Sequence, residues 1–305
     1  MRKNWGVRMD INNKCELFKI DDYDFVTLTR MNHISEIQYL QKQNTMANTL
    51  KLNSDEYLVL DTGEIKEYKK NENRSENINS LLKTMKKLRY LINNNFTGSN
   101  RELFITLTYK ENMTDLKRLY NDFSKFIKRL RYKYKEIELD YINVVEPQER
   151  GAWHCHVLLK SNNTVPLYIS NGDLASLWGH GFVRVNRLEN IDNIGAYVTS
   201  YLTDIIVSDD APLSDEIVEK EITLKDNNST KVTKKIKKNG RLVLYPSGTN
   251  FYRKSKGIKF PERYKFLYKD IKKGQLGKLT YEKNIEFKND NFENMIRYEY
   301  YNRKR

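Results

Sequence analysis

The sequence predicts an α+β protein: an antiparallel-rich central sheet with helices on one face, plus N- and C-terminal extensions. Two observations predict it. Between about residues 100 and 205, β-branched and aromatic runs alternate with amphipathic helical stretches. Two of those runs are joined only by a short polar turn, so they pair as a hairpin. At 305 residues the chain is long enough for one sizeable core and a second domain. No internal repeat of solenoid length is present.

The elements follow in order. The first 70 residues hold short strand-like runs at 24–29 and 57–60, with no functional motif. Residues 71–80, rich in Asn, Glu and Ser, read as a linker or exposed loop. Residues 81–92 carry leucines and lysines at helical spacing and read as an amphipathic helix. A strand follows at 103–109. Thr114-Asp115 caps a helix reaching about Tyr134, with Leu116, Leu119, Tyr120, Phe123, Phe126, Ile127 and Leu130 as its apolar stripe. Strands at 140–146 and 153–159 are joined through Pro147 and Gly151. A short helix near 173–178, a strand at 181–185 and a last helix over about 191–205 complete the order β-α-β-β-α-β-α. That order is a split ferredoxin-like arrangement. Residues 231–238 read as a basic strand, and Asn239-Gly240 as a two-residue hairpin signal. The chain therefore divides into a 1–95 accessory region, a 96–207 central domain and a 208–305 basic extension.

Formal charge is +14, which favours a polyanionic partner, most simply nucleic acid, over a solvated basic surface. The charge is uneven: residues 231–280 carry +14, residues 204–226 carry −6, and the first 100 carry +3. The two cysteines, Cys15 and Cys155, are too few for a disulfide framework, so the chain reads as reduced and cytoplasmic. No stretch reads as a signal peptide or a bilayer-spanning segment, so no membrane partner is expected. No Walker-type phosphate loop is present, so a fused helicase is not expected and unwinding falls to a host partner.

Chemistry concentrates at Trp153-His154-Cys155-His156-Val157-Leu158-Leu159, which holds two of the four histidines. On a strand, His154 and His156 project to one side and Cys155 to the other. The pair reads either as half a divalent-metal site or as two hydrogen-bonded core histidines. Tyr197 and Tyr201, four apart on the last helix, share a face and read either as core aromatics or as a nucleophile pair. The two features complement each other. A phenol with a pKa of about 10 is a poor nucleophile until a metal polarises the phosphodiester it attacks.

The ordered set Phe104-Ile105-Thr106-Leu107-Thr108, Glu146…Arg150-Gly151-Ala152-Trp153-His154-Cys155-His156 and Tyr197-x-x-x-Tyr201 resembles the three motifs of rolling-circle replication initiators. These are the HUH (His-hydrophobic-His) endonucleases of phages and plasmids, here of the two-tyrosine type. Trp178-Gly179-His180-Gly181-Phe182 and, more loosely, Ser255-Lys256-Gly257-Ile258-Lys259-Phe260-Pro261 are similar as well. The resemblance covers residues 100–205 well and 240–262 loosely.

It implies an HUH nuclease fold at 96–207, with His154 and His156 as ligands of Mg2+ or Mn2+. Glu146 would be the third ligand, with Glu149 as its rival. Tyr197 and Tyr201 would be the nucleophiles, leaving a 5′-phosphotyrosyl adduct on single-stranded origin DNA and a 3′-OH for a host polymerase. The protein would belong to a mobile element in a bacterial cytoplasm. In one respect the chain departs from the pattern: Ser200 and Asp204 stand where such relatives often carry lysines that contact the scissile phosphate. Arg150, or a cation of the basic C-terminal region, stands in for them. Arg253 and Lys254 beside Tyr252 offer phosphate contacts and stacking. Two rivals share the fold: a transposase or relaxase using the same chemistry, and a nuclease-dead origin-binding repressor.

Overall fold

The computed structural model describes residues 18–42, 49–53, 55–68, 78–148, 150–189, 191–206, 217–223, 231–238, 240–246, 249–289 and 292–305. In chain order the strands are β1 (Phe25–Met31), β2 (Ile34–Leu40), β3 (Thr49–Lys51), β4 (Glu56–Val59) and β5 (Ile65–Glu67). Helix α1 (Ile78–Asn95), β6 (Glu102–Leu107), α2 (Leu116–Lys133), β7 (Leu139–Pro147), β8 (Trp153–Ser161) and α3 (Asn171–Trp178) follow. Then come β9 (Val183–Asn186), α4 (Ile194–Thr203), β10 (Ile205–Ile206), β11 (Ile217–Thr223), β12 (Lys231–Lys237) and β13 (Tyr252–Lys254). The last are β14 (Arg263–Leu267), β15 (Lys278–Asn289) and β16 (Phe292–Asn302). The architecture is α+β, with antiparallel sheets and four α-helices among the described residues. It is consistent with a split ferredoxin-like fold carrying extensions.

The chain forms two compact units: Met1–Glu72 with Glu262–Arg305, and Asn73–Pro261. The first holds a five-stranded sheet of order β14-β1-β2-β16-β15, in which the two ends of the chain pair. Its small core includes Val26, Leu28, Ile37, Ile271 and Tyr301. Buried Arg297 is satisfied by Glu299, Glu282 at 2.8 Å and the Phe18 carbonyl at 2.6 Å. A separate three-stranded sheet, β3-β4-β5, belongs to the same unit.

The second unit is built on a sheet of order β13-β7-β8-β6-β9. The hairpin β7–β8 runs from Leu139↔Ser161 to Pro147↔Trp153, and β6 lies on the other side of β8. Helix α2 starts where Asp115 accepts hydrogen bonds from the Lys117 and Arg118 amides, at 2.8 and 3.1 Å. Its apolar stripe Leu119, Phe123, Phe126, Ile127 and Leu130 is buried. Phe123 meets Tyr141 edge-on at 5.3 Å, so α2 covers the sheet face that also carries Cys155.

The Trp178–Phe182 motif has a backbone explanation. Gly179 ends α3 at φ 72°, a left-handed conformation suited to glycine. A side chain on Gly181 would strike the Thr108 carbonyl, where the end of β6 and the approach to β9 exchange hydrogen bonds. His180 turns toward Asp122 at 3.6 Å.

The expected hairpin at Asn239-Gly240 is not formed. Gly240 opens a 3-10 helix, Gly240–Leu244, that packs against α4, while Asn239 lies outside the described residues. The basic run at 231–237 is a strand, as expected, but its partners are β10 and β11. Hydrophobic residues at 242–244 and the partner found by Arg241 carry the chain inward instead of back along a ladder.

The loosely similar segment at 255–261 also has a structural task. Ser255 Oγ donates to Asp140 at 2.6 Å, and the Ser255 amide donates to the Tyr141 carbonyl at 3.0 Å. Gly257 lies so close to the Asp140 carboxylate that a β-carbon would overlap it. Burial pushes the Asp140 pKa up, but hydrogen bonds from Ser255 and Asn162, with Lys160 nearby, hold it below the ordinary 3.8. Because the folded-state value is depressed, this contribution is fully present above about pH 4 and is lost as pH falls through the folded value. Acid unfolding followed by circular dichroism is therefore expected to show a weaker pH dependence below about pH 4 in Asp140→Asn than in wild type. Equal dependence in the two proteins would contradict it.

Candidate metal centre and its surroundings

Register makes the site. Across β7–β8, Glu146 pairs with His154 and Val144 with His156, so Glu146, His154 and His156 share one face of the sheet. One potential ligand atom from each lies within 4.8 Å of the other two. Among the described residues this is the one such group of three. Glu149, the rival third ligand, lies outside the described residues.

His156 is fully buried. Its Nε2 is 2.5 Å from Glu146 Oε2 and its Nδ1 3.1 Å from Thr106 Oγ1 on β6. Phe104 stacks on the ring at 5.6 Å between centroids. His154 is half-buried, with Nδ1 3.3 Å from Gln148 Nε2, and Gln148 in turn accepts from Arg150 Nε at 3.1 Å. Burial above all, with His156, Arg150 and Arg241 nearby, pushes the His154 pKa down to about 4 against the upward pull of Glu146. His154 is thus neutral near pH 7, the form in which imidazole offers a lone pair to a metal.

The donor set fits a divalent ion. One carboxylate and two imidazoles suit Mn2+ and related metals, and with the carboxylate they admit Mg2+. Thr106 and Gln148 hold the outer nitrogens of the two rings, the support that metal-binding histidines require. Sequence reading missed both. Thr106 is visible in a motif, but only the β6–β8 register places it opposite His156.

Sequence reading also missed Arg241. Its guanidinium Nη1 forms an ion pair with Glu146 Oε1, and Nη2 lies 3.4 Å from the Asp204 carbonyl at the end of α4. No local signal marks it, because it follows the group by more than eighty residues on a segment that reads as a turn.

Helix α4 is capped by Asn193, which accepts from the Ala196 amide at 2.8 Å. Tyr197 on it is 44% exposed. Tyr201 is on the same helix, and its side chain lies outside the described residues. Ser200 and Asp204 bond to each other at 2.6 Å, and Thr203 also donates to Asp204.

The remaining candidates are spread more widely. Arg150 is exposed in the β7–β8 turn, joined to His154 only through Gln148. On edge strand β13, Arg253 pairs in register with Asn143 and so faces away from the histidines, stacking on Tyr120 at 3.6 Å. Lys254 Nζ donates to the Ile258 carbonyl at 2.7 Å. Cys155 packs in the core, its thiol pKa pushed up to about 12 by burial. Trp153 is buried too, donating to the Thr114 carbonyl at 3.1 Å.

The fold and this group define a sheet-borne carboxylate–bis-histidine centre beside a helix that carries tyrosines. Residues 102–205, about a third of the chain, match the family described as Replication-associated protein ORF2. The matched segment begins at β6 and ends at the start of β10, so it includes Glu146, both histidines and all of α4. No curated protein and no solved structure matches the chain. The family match supports a role in starting DNA replication, with DNA as the partner. No helix among the described residues is long and apolar enough to cross a membrane.

Proposed function

We propose that the protein is a rolling-circle replication initiator of the HUH type, which nicks and rejoins single-stranded origin DNA through a phosphotyrosyl intermediate. The observation that carries this reading is the coincidence of the Glu146–His154–His156 group with a family-matched segment ending in the tyrosine helix. Glu146, His154 and His156 would hold Mg2+ or Mn2+, which when bound polarises a phosphate oxygen of the substrate. Glu146 supplies a negative charge, and His154 a neutral nitrogen. Thr106 and Gln148 keep the rings from rotating out of line.

The Tyr197 or Tyr201 hydroxyl attacks phosphorus. A P–O bond to the phenol forms as the bond to the 3′ oxygen breaks, and the departing oxygen takes up a proton. The bond energy is kept in the phosphotyrosyl ester, so the reverse attack by a 3′-OH reseals the strand. Two tyrosines allow one to open and the other to close. Arg150 would contact the strand near the cut, and Arg253 and Lys254 would contact DNA passing round the edge strand. Host helicase and polymerase would act at the exposed 3′-OH, in the bacterial cytoplasm of a mobile element's host.

The test is covalent capture. A randomised single-stranded pool with Mn2+ should yield strands that stay with the protein through denaturing electrophoresis. Binding without any such adduct would favour the repressor reading.

Thr106→Val tests the support of the centre. It removes the partner of His156 Nδ1 while keeping shape, and is expected to weaken Mn2+ binding by about tenfold in a calorimetric titration. Unchanged affinity would contradict the assignment of His156 as a ligand.

A further inference from the structure

We propose that Arg241 binds the scissile phosphodiester, its guanidinium holding a non-bridging phosphate oxygen beside the Glu146–His154–His156 group. This rests on the nuclease reading and adds to it a substrate contact from outside the family-matched segment, which ends at residue 205.

The first observation is an unsatisfied cation. The Arg241 side chain is only 20% exposed, yet its Nε is buried with no acceptor among the described residues. Nη1 is engaged by Glu146, and Nη2 reaches the Asp204 carbonyl only at 3.4 Å, the weak end of the hydrogen-bond range. A guanidinium has five N–H donors in a rigid planar fork, so most of this one's capacity is unspent. Buried donors of native proteins are nearly always paired, and a charged one left unpaired is costly. The missing partner is an acceptor, and the fork favours an oxyanion with two oxygens to offer.

The second observation is place. Arg241 touches a member of the carboxylate–histidine group with one nitrogen and the last turn of the tyrosine helix with another. An anion seated on its unspent donors would lie between those two elements. Because Arg241 takes Oε1 of Glu146, Oε2 is left to the His156 side. A purely structural partner for Glu146 would need one N–H, and a lysine would serve. The ligand chemistry is that of a phosphate, either within a strand or free. The basic chain and the replication-family match favour the strand.

The experiment uses the full chain and a single strand recovered by covalent capture. Binding is measured on a Tyr197→Phe/Tyr201→Phe background, so that nothing is cut, with either a phosphodiester or an uncharged methylphosphonate at the scissile link. The background protein is expected to bind the methylphosphonate strand about tenfold more weakly. Adding Arg241→Gln should cost about the same factor on the phosphodiester strand and no more on the methylphosphonate strand, with Mn2+ affinity within about threefold. A Gln variant that still discriminates tenfold overturns the proposal. Arg241→Lys keeps the charge without the fork and should fall between. Should the Gln variant unfold, a Lys variant identical to the background overturns the proposal instead. Inorganic phosphate that binds the background protein but not the Gln variant, with no discrimination between strands, assigns the site to a free anion and also overturns it. A wild-type protein that captures no strand from the pool removes the nuclease reading itself.

Discussion

His154→Ala is expected to lower strand cleavage by about three orders of magnitude, because an ion that polarises the phosphate contributes several kcal/mol to the transition state. His154 is the better histidine to remove. His156 is fully buried and bonded on both nitrogens, so its loss would also disturb the sheet. His154 is half-buried and its ring contact is to Gln148. Binding of single-stranded DNA in the same variant should fall only slightly, because phosphate contacts by a basic chain do not depend on the centre. Cleavage is read from a labelled strand in Mn2+ and binding by filter retention. Full cleavage in the variant would exclude the centre from the reaction.

Replacing both Tyr197 and Tyr201 by Phe is expected to abolish the covalent adduct, while Mn2+ affinity stays within about twofold of wild type. The two single variants should differ. The one that loses the first cut carries the opening nucleophile, and the other should still cut but fail to reseal. Tyr197 is almost half exposed, so Tyr197→Phe should change stability by less than about 0.5 kcal/mol. An adduct persisting in the double variant would move the nucleophile elsewhere.

Much of the central sheet and its helices is legible in the sequence because their signals are local. Alternation marks β6, β7 and β8, the Asp115 cap marks the start of α2, and the apolar stripe of α2 is periodic. The two histidines are legible as a same-face pair from strand geometry alone. Glu146 comes from a resemblance, and the register Glu146↔His154 is the physical fact beneath it.

What is not legible depends on long-range pairing. β2 lies between β1 and β16, more than 250 residues later, and nothing in either segment announces the other. β13 joins β7 from more than 100 residues away. Arg241 is hidden for the same reason. Its meaning comes from a 3-10 helix that folds back on Glu146, in a stretch whose Asn239-Gly240 signal suggests a hairpin. Gly257 illustrates the converse: it reads as part of a functional motif, yet its contact with Asp140 explains it by packing.

The most direct test of the central claim is the site of covalent attachment. Wild-type protein is incubated with Mn2+ and its captured single strand, digested with nuclease and protease, and the nucleotide-bearing peptide identified by mass spectrometry. The account predicts a nucleotide 5′-linked to a tyrosine of α4, Tyr197 or Tyr201, formed only with the divalent ion and absent from His154→Ala. Attachment to any residue outside α4, or an adduct formed equally well in chelator, would contradict it.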